Sequence, residues 1–188
     1  NICTYLDMPL QHASTEVHKS MRRVITRRTT EDVLARIREA EPDITLRTTF
    51  IVGYPNETLE YFYELCRFVE DQAFDRLGVF TYSHEDDTYA DILGDPIPAE
   101  VKEARKIQLK HIQRDISARK NAAKVGSAMR VLVEEVINGE YRCRSQADAP
   151  EVDYEVYVRS SVPLPLGSLQ DVVIDDAAEY DLFATLRA

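Results

Sequence analysis

Three short groups of residues in this chain could do chemistry, and each directly follows an apolar run. They are the pair Gln11-His12, the turn GYPNE at residues 53–57 and the triplet Tyr82-Ser83-His84. The glycine of the turn would let a ligand approach the backbone, and its proline stiffens the loop. In α/β proteins, ligands usually bind in the loops at the carboxyl ends of strands. These groups therefore form a candidate binding site, although a plain βα turn that binds nothing has the same features.

The apolar runs before these groups are predicted as the strands Ile2–Leu10, Ile44–Gly53 and Asp75–Ser83. The central run is rich in β-branched residues, which favour a pleated backbone. It also has few polar residues, as expected of a parallel strand that is covered on both faces. The three groups would then lie at the same edge of one sheet.

Helical patterns separate these strands and follow the last of them. The predicted starts are Ser14, Thr29 (in a capping-box pattern), Thr58 and Pro98. Strands that alternate with helices indicate a parallel sheet with right-handed crossovers. Three strands are too few to close a barrel, so the predicted fold class is α/β, a partial parallel β/α barrel. The open edge that this leaves predicts self-association through the strand Ile2–Leu10 or its neighbours.

The sequence pattern changes near Val125. Short, partly alternating segments follow, separated by glycine, asparagine or proline: MRVLVEEVI, EYRCRSQAD, EVYVRS and LQDVVIDDA. This pattern predicts a small all-β domain, an antiparallel barrel. The predicted domains are therefore residues 1–123 and residues 124–188.

Composition narrows the classes of function. A net charge of −10 argues against non-specific nucleic-acid binding as the main activity. The cysteines Cys3, Cys66 and Cys143 form no CxxC set, so neither a disulfide framework nor a local metal site is predicted. No run of eighteen apolar residues suggests a membrane span, and no signal peptide is visible, so the protein is expected to be cytoplasmic. Because the chain starts without methionine inside a predicted strand, we expect a fragment of a larger protein.

Three motifs, in order along the chain, are similar to those of one enzyme family. YLDMPLQHAS, LRTTFIVGYPNET and FDRLGVFTYSHEDDT resemble the carboxyl half of the radical S-adenosylmethionine (radical SAM) domain of methylthiotransferases. The tail from Lys124, which ends in EYDLFATL, resembles their TRAM domain, an OB-like barrel. The resemblance covers nearly the whole chain.

This resemblance implies an enzyme that, when intact, uses S-adenosylmethionine and two 4Fe–4S clusters. One cluster would cleave S-adenosylmethionine to a radical, and the second would lie in an amino-terminal domain linked to the sulfur supply. The family's CxxxCxxC motif does not occur in this sequence. No metal ligand and no catalytic residue is therefore assigned within the chain, and the chain alone is expected to be inactive.

The resemblance also implies roles for individual residues. The cofactor-binding candidates are Gln11, His12, Thr49, Gly53, Pro55, Glu57, Tyr82 and Ser83. Glu57 stands four residues after Gly53, whereas the general radical-enzyme pattern has three, so helix capping is an equal alternative for it. For His12 and Tyr82 the alternative is a satisfied interior residue. Arg23, in an M-x-R pattern, is a candidate partner for a substrate carboxylate.

Charge separates two branches of this family, of which one modifies an aspartate of a small-subunit ribosomal protein and the other an adenosine of transfer RNA. Residues 124–188 hold six basic and twelve acidic residues, a net charge of −6. Such a surface suits a basic protein better than phosphate, although acids can also serve solubility alone. Glu85, Asp86 and Asp87 stand where the transfer-RNA branch has arginines, and they are predicted to bind substrate. The predicted partner is a basic ribosomal protein, and the alternatives are the transfer-RNA enzyme and an OB-like binding module without chemistry.

Overall fold

The computed structural model of this chain describes residues 2–187, which divide into two compact units. Residues 6–113 form an α/β unit, and residues 114–187 together with residues 2–5 form a barrel unit. The helix Ala99–Ala122 contributes residues to both. Within residues 2–187, no helix is both long enough and apolar enough to cross a membrane.

The α/β unit contains a three-stranded sheet in the order β1-β2-β3, with β2 and β3 parallel. Its elements are β1 (Tyr5–Asp7), α1 (Thr15–Ser20), α2 (Arg27–Ala40), β2 (Thr45–Val52), α3 (Leu59–Gln72), β3 (Arg76–Thr81), a short 3-10 helix (Tyr89–Leu93) and α4 (Ala99–Ala122). Strands and helices alternate as predicted, which confirms the α/β fold class.

Strand β2 has two faces with different roles, because successive side chains of a strand point to opposite sides. Its even-numbered residues, Leu46 to Val52, are buried. Phe50 is fully buried, with its ring 6.3 Å from that of Phe68 on α3 and 6.0 Å from that of Phe74. The core also contains Cys66, on the buried face of α3. Arg47, Thr49 and Ile51 lie on the opposite face and are partly exposed.

Three boundaries differ from the sequence prediction. Strand β1 has three residues rather than nine, because Pro9 lacks the N–H that a strand needs. Helix α1 was expected to carry Val17, Met21 and Val24 on one face, but it ends at Ser20, and Arg22 then adopts a left-handed φ of 57°, which turns the chain away. Helix α2 begins earlier than the capping-box pattern suggested. Its N-cap is Thr26, whose side chain accepts a hydrogen bond from the Thr29 backbone N–H at 3.2 Å.

The barrel unit is a closed five-stranded barrel in the order β4-β5-β6-β8-β7. Its strands are β4 (Ala128–Ile137), β5 (Glu140–Ser145), β6 (Val156–Arg159), β7 (Leu169–Ala177) and β8 (Leu182–Leu186). The inward-facing residues alternate along each strand and form one apolar core that includes Val133, Cys143, Val158 and Ile174. The predicted small all-β barrel is confirmed.

Two features of the barrel were not predicted. The strand β8 was missed because it has only five residues and directly follows a polar segment. Its residues are too few to form an alternating pattern of the length seen in the other predicted strands. It pairs antiparallel with β7 but parallel with β6, so the barrel is not antiparallel throughout. The parallel pairing arises because β8 lies between β6 and β7, which run in opposite directions, so β8 can be antiparallel to only one of them.

Candidate functional site

A cavity of about 800 Å³ opens on the face of the α/β sheet opposite Phe50. Arg47, Thr49 and Ile51 of β2 and Phe80 of β3 supply its floor, and segments that follow the strands supply its rim. The lining residues are Asp7, Pro9, Gln11, Met21, Arg23, Arg47, Thr49, Ile51, Tyr54, Phe80, Thr81, Tyr82 and Ser83. The cavity thus lies where the sheet topology of an α/β protein places ligands.

Gln11 is held at the rim by the backbone of β2. Its N–H donates to the Thr49 carbonyl at 2.9 Å, and its own carbonyl accepts from the Ile51 N–H at 2.8 Å. Its φ of 72° lies in the left-handed region, which is uncommon for a residue other than glycine. Strained backbone of this kind persists where the surroundings hold it, and it is frequent at functional sites.

The chemical character of the cavity is mixed. Ile51, Phe80 and the ring of Tyr54 offer apolar surface, while Thr49 and Ser83 offer hydroxyl groups. The hydroxyl of Tyr82 is buried and lacks a hydrogen-bond partner among residues 2–187. Burial raises the pKa of Tyr82, and the neighbouring Tyr54 and acidic groups raise it further, so this hydroxyl stays protonated.

Two arginines line the cavity, and they differ in whether a carboxylate of the chain pairs with them. Arg47 forms an ion pair with Asp7, with 2.6 Å between Nη1 and Oδ2. The exposed guanidinium of Arg23 has no ion-pair partner within the described part of the chain. A guanidinium matches a carboxylate in geometry and charge. The arrangement suits a ligand with an apolar ring, hydroxyl groups and an anionic end.

Five of the twelve predicted site residues line this cavity: Gln11, Arg23, Thr49, Tyr82 and Ser83. The other seven do not. Glu85, Asp86 and Asp87 are exposed on the loop that follows β3. His12, Gly53, Pro55 and Glu57 lie behind the lining, in or next to the loop that follows β2.

Glu57 is a buried carboxylate with protein partners. Its carboxylate accepts hydrogen bonds from the Gly53 backbone N–H, from Arg105 Nη1 at 2.6 Å and from His12 Nε2 at 3.1 Å. Its side chain is fully buried. The helix-capping alternative is wrong, because Thr58 is the N-cap of α3 and accepts from the Tyr61 N–H at 3.2 Å.

His12 links the segment after β1 to this carboxylate. Its Nδ1 accepts a hydrogen bond from the Ser14 backbone N–H at 2.9 Å. That bond assigns the ring proton to Nε2, which donates to Glu57. His12 is fully buried. Its contacts are those of a satisfied interior residue next to the cavity.

The sequence interpretation missed two cations on α4, Lys102 and Arg105. Lys102 is 4% exposed, and its Nζ donates to the Tyr82 carbonyl at 3.1 Å and to Asp95 Oδ2 at 2.6 Å. Arg105 Nη1 also donates to the Glu57 carbonyl at 2.9 Å. Leu109, Ile112 and Ile116 mark the inner face of α4, and Lys102 and Arg105 continue that face at spacings of three and four, which is the signal that could have indicated them.

One group of possible metal-binding side chains lies outside the cavity. Ligand atoms of His84, Asp86 and Asp91 lie within 4.8 Å of one another, and all three residues are exposed. His84 Nε2 is 3.1 Å from an Asp91 carboxylate oxygen and 3.8 Å from one of Asp86. These contacts are ordinary surface ion pairs.

The buried cysteines do not have the character of metal ligands. Burial raises the pKa of the Cys66 thiol and of the Cys143 thiol to about 11 each. Cys66 lies in the apolar core of the α/β unit and Cys143 in that of the barrel, so these two thiols do not form one ligand set. Cys3 is exposed and free.

Comparison with known proteins identifies both parts of the chain. The radical SAM superfamily model matches residues 1–69, and the TRAM domain model matches residues 125–186. Residues 1–69 are therefore similar to radical SAM domains and residues 125–186 to TRAM domains, in line with the resemblance. The predicted domain boundary at residues 123 and 124 stays a prediction.

Curated relatives match the chain along nearly all of its length. It is 48% identical to the ribosomal protein uS12 methylthiotransferase RimO of Cytophaga hutchinsonii, over 99% of this chain and 43% of that protein. The RimO proteins of Chloroherpeton thalassium (47% identity, 99% and 44% coverage) and Clostridioides difficile (48%, 97% and 41%) are similar to the same extent. The chain thus spans less than half the length of these relatives and corresponds to their carboxyl-terminal half.

Proposed function

We propose that the intact protein methylthiolates an aspartate side chain of the small-subunit ribosomal protein uS12 by radical SAM chemistry. The observation that carries this proposal is the similarity, at 42–48% identity over 97–99% of the chain, to proteins named uS12 methylthiotransferase. This similarity runs through both the radical SAM segment and the TRAM domain. A shared fold alone would not carry the proposal, because one fold supports many activities.

S-adenosylmethionine is the cofactor proposed for the cavity. The lining fits it, because the molecule combines an aromatic base, ribose hydroxyls and a carboxylate. Ile51 and Phe80 would pack against the base, Gln11, Thr49 and Ser83 would bind polar atoms, and Tyr82 would complete the rim. When bound, the cofactor supplies a radical, which removes a hydrogen atom from a substrate carbon. It also supplies the methyl group that is transferred.

The two 4Fe–4S clusters of the proposed enzyme would be bound by residues outside this chain. The CxxxCxxC motif does not occur among residues 1–188, which supports this assignment. The contribution of residues 2–187 would then be to bind the cofactor, to shield it from water and to receive the substrate.

The charge distribution favours a basic protein over RNA as the substrate. Four arginines of the barrel unit pair with carboxylates of the same unit: Arg130 with Asp171, Arg142 with Glu135, Arg144 with Glu134 and Arg159 with Glu140. Within residues 124–188, acidic residues still exceed basic ones by six. Phosphate would meet few unpaired cations on such a surface, whereas a basic protein would be attracted.

Arg23 is the proposed contact for the carboxylate of the substrate aspartate. Its guanidinium lies at the cavity rim without an ion-pair partner in the described chain. Glu85, Asp86 and Asp87 would attract the basic surface around that aspartate. Both roles rest on charge complementarity.

The test uses the intact enzyme with purified uS12 and, in parallel, unmodified transfer RNA. We expect methylthiolation of uS12, an association rate that falls as salt rises, and weak binding of transfer RNA. Tight binding and modification of transfer RNA without uS12 modification would favour the RNA enzyme. Binding without S-adenosylmethionine cleavage would favour a binding module.

A charge-reversal pair separates a local effect of the acidic loop from the effect of total charge. Replacing Glu85, Asp86 and Asp87 by lysine should slow association with uS12 by roughly tenfold at low salt, while cleavage of S-adenosylmethionine persists. The matched control replaces the exposed Glu39, Glu41 and Asp43 by lysine, so the net charge of the protein changes by the same amount. Equal slowing by both variants would refute the role of the loop.

Self-association of the 188-residue chain on its own is part of the proposal. Strand β1 has three residues, and Phe80 on the cavity face is 64% exposed, so an edge and an apolar surface are open to a second copy. Light scattering at tens of micromolar should detect a dimer or larger species. A monomer that binds no apolar dye would contradict it.

A further inference from the structure

The helix α4 places two buried cations, Lys102 and Arg105, one turn apart beneath the cavity rim. Lys102 is 4% exposed, and the side chain of Arg105 is 11% exposed. Residues three positions apart on a helix project from the same side. Both cations are therefore directed at the loops that follow the parallel strands, and neither belongs to the cavity lining.

Arg105 fixes the loop that follows β2 at its far end. Its Nη1 donates to both the carbonyl and the carboxylate of Glu57, at 2.9 and 2.6 Å. The same carboxylate accepts from the backbone N–H of Gly53, at the near end of the loop. It also accepts from His12, which follows directly after Gln11 on the cavity rim. One buried carboxylate thus connects the segments that follow β1 and β2.

Lys102 fixes the segment that follows β3. Its Nζ donates to the carbonyl of Tyr82, a residue of the cavity rim, and its ammonium lies 5.2 Å from the centre of the Tyr82 ring. Asp95 neutralises the ammonium at 2.6 Å. The aliphatic stem of Lys102 packs against Gly53, so the same side chain also touches the loop after β2.

We propose that Lys102 and Arg105 are positioning residues for the reaction at this cavity, acting through the Tyr82 carbonyl and through Glu57. The proposal rests on the function proposed above. Taking two cations out of water is costly, and apolar side chains would stabilise the same contact as well or better. The cations add directional hydrogen bonds. Each donates to a backbone carbonyl, which an apolar side chain could not do. Gln11, Tyr82 and Ser83 thereby keep their places on the rim.

The experiment uses the intact enzyme with the variants K102M and R105Q and the conservative variant R105K. K102M keeps the stem that packs on Gly53 and removes the ammonium. The matched control is K106M, which removes the surface ion pair with Glu103 on the same helix. Hydrogen exchange of the cofactor-free enzyme and the kinetics of uS12 methylthiolation are measured for each protein.

We expect faster exchange at residues 53–57 and 82–84 in K102M and R105Q, with unchanged exchange in β2 and α3. The value of kcat/KM for S-adenosylmethionine should fall roughly tenfold to hundredfold, because small misplacements of binding groups are costly. R105K should lie between R105Q and the wild type, and K106M should match the wild type. In an E57Q background, R105Q should cause a much smaller further loss.

Three results would overturn the proposal. The first is local exchange and kinetics in K102M and R105Q that match those of K106M. The second is a uniform rise in exchange throughout the α/β unit, which indicates a merely structural role. The third is an R105Q loss of equal size with and without Glu57. If the wild-type enzyme fails to modify uS12, the proposed function fails, and the exchange measurements alone decide about Lys102 and Arg105.

Discussion

The position that a Cβ atom would take on Gly53 lies 2.3 Å from Cγ of Lys102. Gly53 also has a φ of +76°, a conformation that side chains disfavour. From the sequence we expected a glycine at this position because it would let a ligand approach the backbone closely. The structure shows a different neighbour, because the stem of Lys102 occupies that space. A glycine is needed here for contact between a loop and a helix.

Replacing Gly53 by alanine is therefore expected to destabilise the α/β unit in two ways. The left-handed backbone costs about 1–2 kcal/mol for a residue with a side chain. The overlap with Lys102 adds roughly 1–3 kcal/mol, the usual cost of overpacking. Urea unfolding of the 188-residue chain measures the sum.

The double variant G53A/K102A supplies the control for this prediction. It removes the Lys102 stem that lies against the Cβ position of residue 53, so it should recover the overlap part of the loss and keep the backbone part. If G53A costs the same free energy of unfolding in the wild type and in the K102A background, the contact with Lys102 carries no steric constraint.

The three cysteines are expected to react at very different rates. Cys3 is exposed, whereas burial raises the pKa values of Cys66 and Cys143 to about 11, so little thiolate forms at pH 8. Alkylation of the native 188-residue chain should modify one thiol rapidly and all three only in denaturant. C3S should abolish the rapid phase. Rapid modification of C3S would show that a buried thiol is reachable.

Stability should fall as the pH is lowered below about 6.5, in part because of His18. Burial lowers the pKa of His18 below its ordinary value of 6.5, and its Nε2 donates to the Leu10 carbonyl at 3.0 Å. The unfolded chain therefore takes up this proton first, and protonation favours unfolding between the unfolded and folded pKa values. Thermal unfolding between pH 7.5 and 5.5 measures the slope.

H18Q should reduce this pH dependence, because a glutamine amide can donate to Leu10 without titrating in this range. H111Q is the control, since His111 is exposed on α4. An unchanged slope in H18Q would assign the acid sensitivity to other groups.

The 188-residue chain is expected to bind no iron–sulfur cluster. Two of its three thiols are buried in apolar cores with raised pKa values, which disfavours the thiolate ligands that a cluster requires. Anaerobic reconstitution with iron and sulfide should give no cluster absorbance and no deoxyadenosine. A stoichiometric cluster would mean that Cys3, Cys66 and Cys143 come together in a way that their burial argues against.

Local sequence signals were sufficient for much of the fold. The β-branched run before Gly53 predicted β2. Thr58, followed by an apolar stripe, predicted α3. Boundaries failed where a single residue decides them, as with the left-handed Arg22 after α1. Strand β8 was not predicted because its five residues carry little pattern of their own and one of its two partners, β6, is distant in sequence.

The candidate site was predictable only in part, for a similar reason. Gln11, Thr49, Tyr82 and Ser83 lie at or near strand ends, so their convergence follows from the parallel sheet. The placement of Glu57 depends on partners 45 and 48 residues away in sequence, which no local motif reveals. Lys102 and Arg105 continue the inner face of α4, but their partners lie on loops that only the fold brings against them.

The order of strands in the barrel has a consequence for how this unit is made. Strand β8 separates β6 from β7, so the barrel cannot close while a ribosome is still synthesising residues 182–186. Until then β6 and β7 each expose an unpaired edge, and closure depends on contacts that are distant in sequence, which form slowly. A nascent chain stalled before Leu182 should therefore remain sensitive to proteases throughout the barrel, and resistance should arise in one step when β8 emerges.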